Sequence, residues 1–220
     1  MNNIVTQLSE RLDKCTAQML PICGKLVLYG DWDSPFLKSV RKKAEQFGVE
    51  CDTHARRPLG VIIDEETAQL PYPLRIKVDD NDLDIDSCKM NGMTSAAQAT
   101  YMVLNEMNCI EGKNISIVGR GHAVSGLAGQ LVNKNATVTV AHSKTRDIFS
   151  VVDGSDVIVY ATPELIVPQR PEAWDVVVDL GGVWSNDPYT NCEYIGRIGA
   201  LTVSILMNRL AKKSLSELCL

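Results

Sequence analysis

The chain has 220 residues, 45% of them apolar and 22% charged, with a formal net charge of −5. It is long enough for one large domain or two small ones around a full core, and the acidic balance argues against a nucleic-acid backbone or an anionic membrane as main partner. No apolar run reaches the length of a membrane span, and "MNNIVTQLSERLDKC" lacks the charged start and apolar block of a secretion signal, so a cytoplasmic protein is expected.

In chain order, residues 2–19 predict an amphipathic helix with Ile4, Leu8 and Leu12 on one face. "KLVLYG" (25–30) predicts a short buried strand, after which Ser34-Pro35 has the form of an N-cap with proline at the first helical position. The helix that follows should end at Gly48. "GVIID" (60–64) and "LRIKV" (74–78) are strand candidates, and the acidic interval 79–86 predicts a solvated loop or a metal-independent edge rather than a calcium site. "TSAAQATYMVLNEM" (94–107) predicts a helix capped by Thr94 or Ser95, with Ala97, Tyr101, Leu104 and Met107 in register.

Beyond Ile115 the pattern changes. "ISIVG", "ATVTVAH", "DVIVYAT" and "WDVVVDLGG" are short continuous apolar runs, the mark of strands buried on both faces. Separated by helix-length segments, they predict a doubly wound parallel sheet. "IGALTVSILMNRLAKKSLSELCL" predicts a long terminal helix packing back on the N-terminal half. The expected fold class is therefore α/β. A Rossmann-like parallel sheet lobe at 109–196 is joined to a smaller N-terminal α/β lobe at 1–108, which the helix 197–220 completes.

The seven cysteines stand singly with no C-x-x-C pair, so free and mostly buried thiols are expected; neither they nor His54, His122 and His142 suggest a metal site. Chemistry concentrates instead at strand ends. Gly119-Arg120-Gly121, with His122 next, follows a strand and opens a predicted helix, the context of a dinucleotide turn. The third glycine, Gly126, lies five places after Gly121 rather than three. The second strand ends in His142, Ser143, Lys144 and Thr145, with Arg146 next, where a NAD site usually carries an acid for the ribose. Two cations and two hydroxyls suit a 2′-phosphate, so NADP is the expected cofactor, with Arg120 able to join from the first turn. The small residues Ala161, Thr162, Gly181 and Gly182 end the later strands and leave room for the nicotinamide half.

"GKNISIVGRGHAV", "ATVTVAHSKTRD", "DVIVYA", "VVVDLGG" and "GALTVSILMNRL" resemble, in order and spacing, the bifunctional methylenetetrahydrofolate dehydrogenase/cyclohydrolases over about 105–210. The resemblance implies NADP, a folate-like substrate and a homodimer, and adds Thr202 to the cofactor side. It departs in the N-terminal half. The family helix carries a tyrosine and a catalytic lysine where this chain has Phe36 and Val40, neither able to do proton chemistry. Gln69 in "QLPYP", or Asp64 directly after "GVII", falls at the family's glutamine motif, and Asp84 echoes its D-V-D-G. The last glycine motif is altered to Ile195-Gly196-Arg197-Ile198-Gly199-Ala200, so Arg197, able to hold a carboxylate, and Gly199 are further substrate-side candidates. The reading is an NADP-dependent dehydrogenase of methylenetetrahydrofolate type without cyclohydrolase activity. The alternatives are an NADP-dependent oxidoreductase on another small substrate and a non-catalytic NADP-binding protein.

Overall fold

The structure, a computed structural model, describes residues 3–64, 83–86, 92–164, 174–182 and 192–218. "LRIKV" and Gln69 lie outside these residues. Contacts divide the chain into two compact units, Ser9–Asn91 with Thr202–Leu220, and Met1–Leu8 with Gly92–Leu201. The dividing lines drawn from the sequence were at 108/109 and 196/197.

The first unit holds a three-stranded parallel sheet, order β2-β1-β3, from β1 (Lys25–Tyr29), β2 (Glu50–Asp52) and β3 (Gly60–Ile63). The three-residue β2 was not anticipated. After helix α1 (Asn3–Ala17), helix α2 (Pro35–Gln46) forms the crossover from β1 to β2. Its start was legible: the Ser34 hydroxyl accepts from Leu37 N–H at 3.2 Å and Pro35 occupies the first turn. It stops before Gly48, whose φ of +68° is the left-handed conformation glycine adopts without strain. Leu37, Val40 and Ala44, at helical spacing, are buried against Leu26 and Leu28. The terminal helix α6 (Gly199–Leu218) adds Val203, Leu206, Met207, Leu210 and Ala211 to the same cluster, the packing its apolar stripe predicted. Each such side chain stabilises the fold by about 1.5–3 kcal/mol through burial. On α1, Val5 and Leu8 are buried while Ile4 and Leu12 are half-buried, so the inward stripe is rotated from the predicted one. The described part of the acidic interval, 83–86, is an edge rather than a solvated loop. Asp84 and Asp86 are buried, because Leu83–Ile85 hydrogen-bonds to Val61 along β3.

The second unit carries helix α3 (Ser95–Glu106), capped by the Thr94 side chain as predicted, and a five-stranded parallel sheet. Its strands are β4 (Asn114–Val118), β5 (Thr137–Ala141), β6 (Val157–Tyr160), β7 (Val176–Asp179) and β8 (Glu193–Ile195), in the order β5-β4-β6-β7-β8. Two short helices, α4 (Leu127–Val132) and α5 (Ile148–Asp153), separate the first three. The four apolar runs are the first four strands, whereas β8 escaped the sequence reading. β6 and β7 are buried throughout, as their unbroken runs predicted. β5 is not: it is an edge strand, and Val140 is 43% exposed. All described cysteines are free, but Cys15 and Cys23 are exposed and only Cys192 is buried.

Candidate functional site

The chain runs from β4 to β5 on one side, then returns to place β6 on the other side of β4. The strand order therefore reverses between β4 and β6, and open α/β sheets bind ligands at the carboxyl ends flanking such a point. The residues there are Gly119 and Ala161. Gly119 has a φ of +122°, and a Cβ on it would lie 2.6 Å from the Ala161 carbonyl oxygen. Only glycine fits, and the two strand ends stay close enough for a ligand to lie across them. Gly119 N–H donates to Ala141 O and Ala161 N–H to Val118 O, each at 2.8 Å, which ties the ends of β4, β5 and β6 together.

The glycine pair does not open an α-helix directly. A single 3-10 turn, His122–Val124, follows it, then Gly126 at φ +82°, then α4. The reason lies outside the motif. Thr94 at the α3 cap donates through its hydroxyl to His122 O at 3.0 Å and through its N–H to Ser125 O at 3.2 Å, drawing the loop onto α3. This accounts for the displaced third glycine: helix packing begins two residues later than in the usual spacing.

The second turn is compact. Thr145 N–H donates to His142 O at 2.7 Å, His142 N–H to Thr145 Oγ1 at 2.9 Å, and Lys144 N–H to His142 Nδ1 at 3.1 Å. Ser143 and Lys144 are exposed, and His142 and Thr145 half-buried. Arg120, Lys144 and Arg146 carry no ion pair among the described residues, so three cations stand free on the two turns. The first acid after β5, Asp147, is committed elsewhere. Its carboxylate accepts from Ser150 Oγ at 2.7 Å and Ser150 N–H at 3.1 Å, capping α5. These two bonds hold its carboxyl below the usual aspartate range.

The remaining candidates are scattered. Ala161 and Thr162 are half-buried after β6, with Thr162 Oγ1 accepting from Glu164 N–H. Gly181 and Gly182 follow β7, and Thr202 is buried in the first turn of α6. Arg197 is exposed with a φ of +57°, and Gly199 is the exposed first residue of α6. In the first unit, Val40 is fully buried in the core and Phe36 half-buried beside it. Asp84 Oδ1 accepts from Asp86 N–H at 3.0 Å, and the buried Arg209 donates to Ile85 O at 3.2 Å.

Two polar pairs at strand ends went unremarked in the sequence. Ser34 Oγ donates to the buried Asp64 Oδ2 at 2.7 Å after β3, and Tyr194 OH to the buried Asp179 Oδ2 at 2.9 Å at the end of β7. Asp64 after "GVII" was a candidate for the family's glutamine motif but its pairing with Ser34 was not; a carboxylate closing an otherwise apolar run, as in "VVVD", is the signal that could also have found Asp179. Asp64 N–H also continues the ladder to Tyr29 O, so Asp64 is the residue fixed at the end of β3.

A parallel sheet with a glycine turn at its switch point and a cationic turn on the neighbouring strand defines a dinucleotide-binding protein. Residues 94–196 match the family described as tetrahydrofolate dehydrogenase/cyclohydrolase, NAD(P)-binding domain. The chain is 28% identical to the bifunctional protein FolD of Pseudothermotoga lettingae, with 94% of this chain and 95% of that protein covered. The fold is shared with the bifunctional 5,10-methylenetetrahydrofolate dehydrogenase/cyclohydrolase of Thermoplasma acidophilum (TM-score 0.72, 17% identity, 97% of this chain and 98% of that one). It is also shared with the Trypanosoma brucei enzyme, solved with NADP and an inhibitor (TM-score 0.68, 20% identity, 98% and 94%). The likeness to the methylenetetrahydrofolate dehydrogenase/cyclohydrolases is therefore to their NAD(P)-binding domain over 94–196, and to FolD over nearly the whole chain. Among the described residues, no helix is long and apolar enough to cross a membrane.

Proposed function

We propose that this protein is an NADP-dependent dehydrogenase of 5,10-methylenetetrahydrofolate or a close folate derivative, without cyclohydrolase activity. The observation that carries the cofactor assignment is the turn after β5. It offers Ser143, Lys144 and Thr145 next to Arg146, with Arg120 on the neighbouring turn and neither arginine ion-paired among the described residues, while Asp147 is held as a helix cap. A 2′-phosphate meets cations and hydroxyls there, and a bare ribose finds no free carboxylate among the described residues of this turn.

The residues fit the cofactor on a second count. Gly119 lets the ends of β4 and β6 close up at the switch point, and Gly121 leaves open space where a Cβ would stand. Gly119, Arg120, Gly121 and His122 would hold the diphosphate and adenosine side, and Ala161, Thr162, Gly181 and Gly182 the nicotinamide side; Thr202 is a candidate from the resemblance alone. Bound there, the nicotinamide ring supplies the hydride acceptor, and the chain's own part is to position it and exclude water. Arg197 and Gly199 are the substrate-side candidates beside the cofactor sheet; Asp84 is a separate candidate suggested by the resemblance, and Gln69 lies outside the described residues. Arg197, exposed and without an ion pair among the described residues, suits a carboxylate.

Loss of the cyclohydrolase step is supported by Val40. At the position where the resemblance puts the lysine, a fully buried aliphatic side chain points into the core. A homodimer is the expected assembly, because β5 leaves a free strand edge flanked by exposed Val132, Val140 and Phe149.

The test is a calorimetric titration with NADPH and NADH, each with and without tetrahydrofolate. NADPH binding that tightens when the folate is present supports both sites and their coupling. NADPH binding indifferent to folate would leave an NADP-dependent oxidoreductase with another substrate, and no binding of either dinucleotide would overturn the proposal.

A further inference from the structure

The turn at the end of β5 is closed by Thr145 and pinned at its tip by the His142 side chain. Of its three internal hydrogen bonds, two join the His142 backbone to Thr145, and the third runs from Lys144 N–H to His142 Nδ1 at 3.1 Å. A backbone N–H can only donate, so Nδ1 must present its lone pair. The imidazole is then neutral, with its proton on Nε2. The ring does what an asparagine does in an Asx-turn, accepting from the N–H two residues on. Ser143 makes no hydrogen bond among the described residues and is exposed, as is Lys144. Lys144's own N–H is the one donor of this pair that the protein consumes.

We propose that His142 is the positioning residue of this turn. Its neutral, Nε2-protonated ring fixes the Lys144 backbone, so that Ser143 N–H, Ser143 Oγ and the Lys144 ammonium are presented together to a phosphate monoester dianion. This rests on the NADP assignment above for the identity of the ligand, and on the Nδ1 geometry alone for the state of the ring. It also separates the two ring nitrogens by role: Nδ1 builds the turn, while the gain in affinity comes from the neighbours it orients.

The experiment reads ring and binding separately. Long-range proton–nitrogen spectra of the histidine-labelled chain, assigned through the missing signal of His142→Asn, show which nitrogen carries the proton at about pH 8, where an ordinary imidazole is neutral. NADPH and NADH affinities are then measured for the parent, His142→Asn, His142→Gln and His142→Ala. A proton on Nε2 is expected. His142→Asn, whose Oδ1 takes the place of Nδ1, should bind NADPH within about twofold of the parent. His142→Ala and His142→Gln should lose about fivefold, the worth of one net hydrogen bond, with NADH changed less. A proton on Nδ1 overturns the proposal. So does an asparagine variant as weak as the alanine one, or a glutamine variant that alone retains affinity, since glutamine mimics Nε2. If the parent binds neither dinucleotide, the NADP assignment fails, and the tautomer still decides the role of the ring.

Discussion

Gly126 and Gly92 pack backbone against backbone. A Cβ on Gly126 would run into the Gly92 carbonyl oxygen and come within 2.9 Å of its carbonyl carbon and of Met93 Cα. Gly126 also holds a φ of +82° at the start of α4. Gly126→Ala therefore meets a left-handed backbone and a rigid obstacle at once, and should destabilise the fold by about 3 kcal/mol. Urea unfolding checks this: the midpoint should fall with little change in slope. Gly129, in the same helix with open space around it, is the control, and Gly129→Ala should be neutral or slightly stabilising.

Val40→Lys, which restores the residue the resemblance implies, should fail to restore cyclohydrolase activity. Val40 is fully buried among Leu26, Leu28, Leu37 and Ala44, and an ammonium there must be desolvated or neutralised. The expected result is a loss of several kcal/mol in thermal or chemical unfolding. Stable protein that hydrolyses methenyltetrahydrofolate would instead mean that α2 can turn its Val40 face outward.

Much of this was legible because local rules act locally. Ser34-Pro35 and Thr94 announced their helices, and unbroken Val/Ile runs announced β6 and β7. The glycine pair and the cationic turn were legible as residue types, and the structure places both at the ends of neighbouring strands. What stayed hidden depends on distant partners. The helix after Gly121 was displaced by Thr94, which docks the loop from α3. The exposure of Val140 follows from strand order, and the burial of Asp84 from a bridge to Val61; neither can be read from a neighbouring residue.

Lys144→Ala should weaken NADPH by about tenfold and leave NADH nearly unchanged, because its ammonium is exposed, without an ion pair among the described residues, and suited to the one group the two cofactors do not share. Equal loss for both in a fluorescence titration would move Lys144 away from the 2′-phosphate. Salt should shrink the difference, as it does for exposed charges.

Arg197 occupies a left-handed conformation, φ +57°, at the position where the related motif carries its second glycine. A non-glycine residue held so costs about 1–2 kcal/mol. Arg197→Gly should therefore raise stability by up to about 1 kcal/mol after the added chain entropy of glycine, while weakening a carboxylate-bearing substrate. A rise in Tm with KM also raised is the expected pair of readings. A lower Tm would mean that the guanidinium contributes more to the fold than its backbone costs.

Asp147 gives the fold a specific acid sensitivity. Its carboxyl is held low first by the Ser150 hydroxyl and then by the Ser150 N–H, both of which favour the charged form. A carboxyl lowered on folding contributes its stability in full above the ordinary aspartate range. The contribution is lost as pH falls through the lowered folded value, because the unfolded chain then binds more protons. A carboxyl-detected NMR titration should place the Asp147 midpoint below that of an exposed aspartate. Ser150→Ala, which removes the hydroxyl but keeps the backbone donor, should move the midpoint part of the way back. Asp147→Ala should fray α5 at neutral pH and remove this acid-dependent component, whereas Asp147→Ser, which keeps a capping acceptor without a titrating group, should retain the helix and lose only the pH dependence.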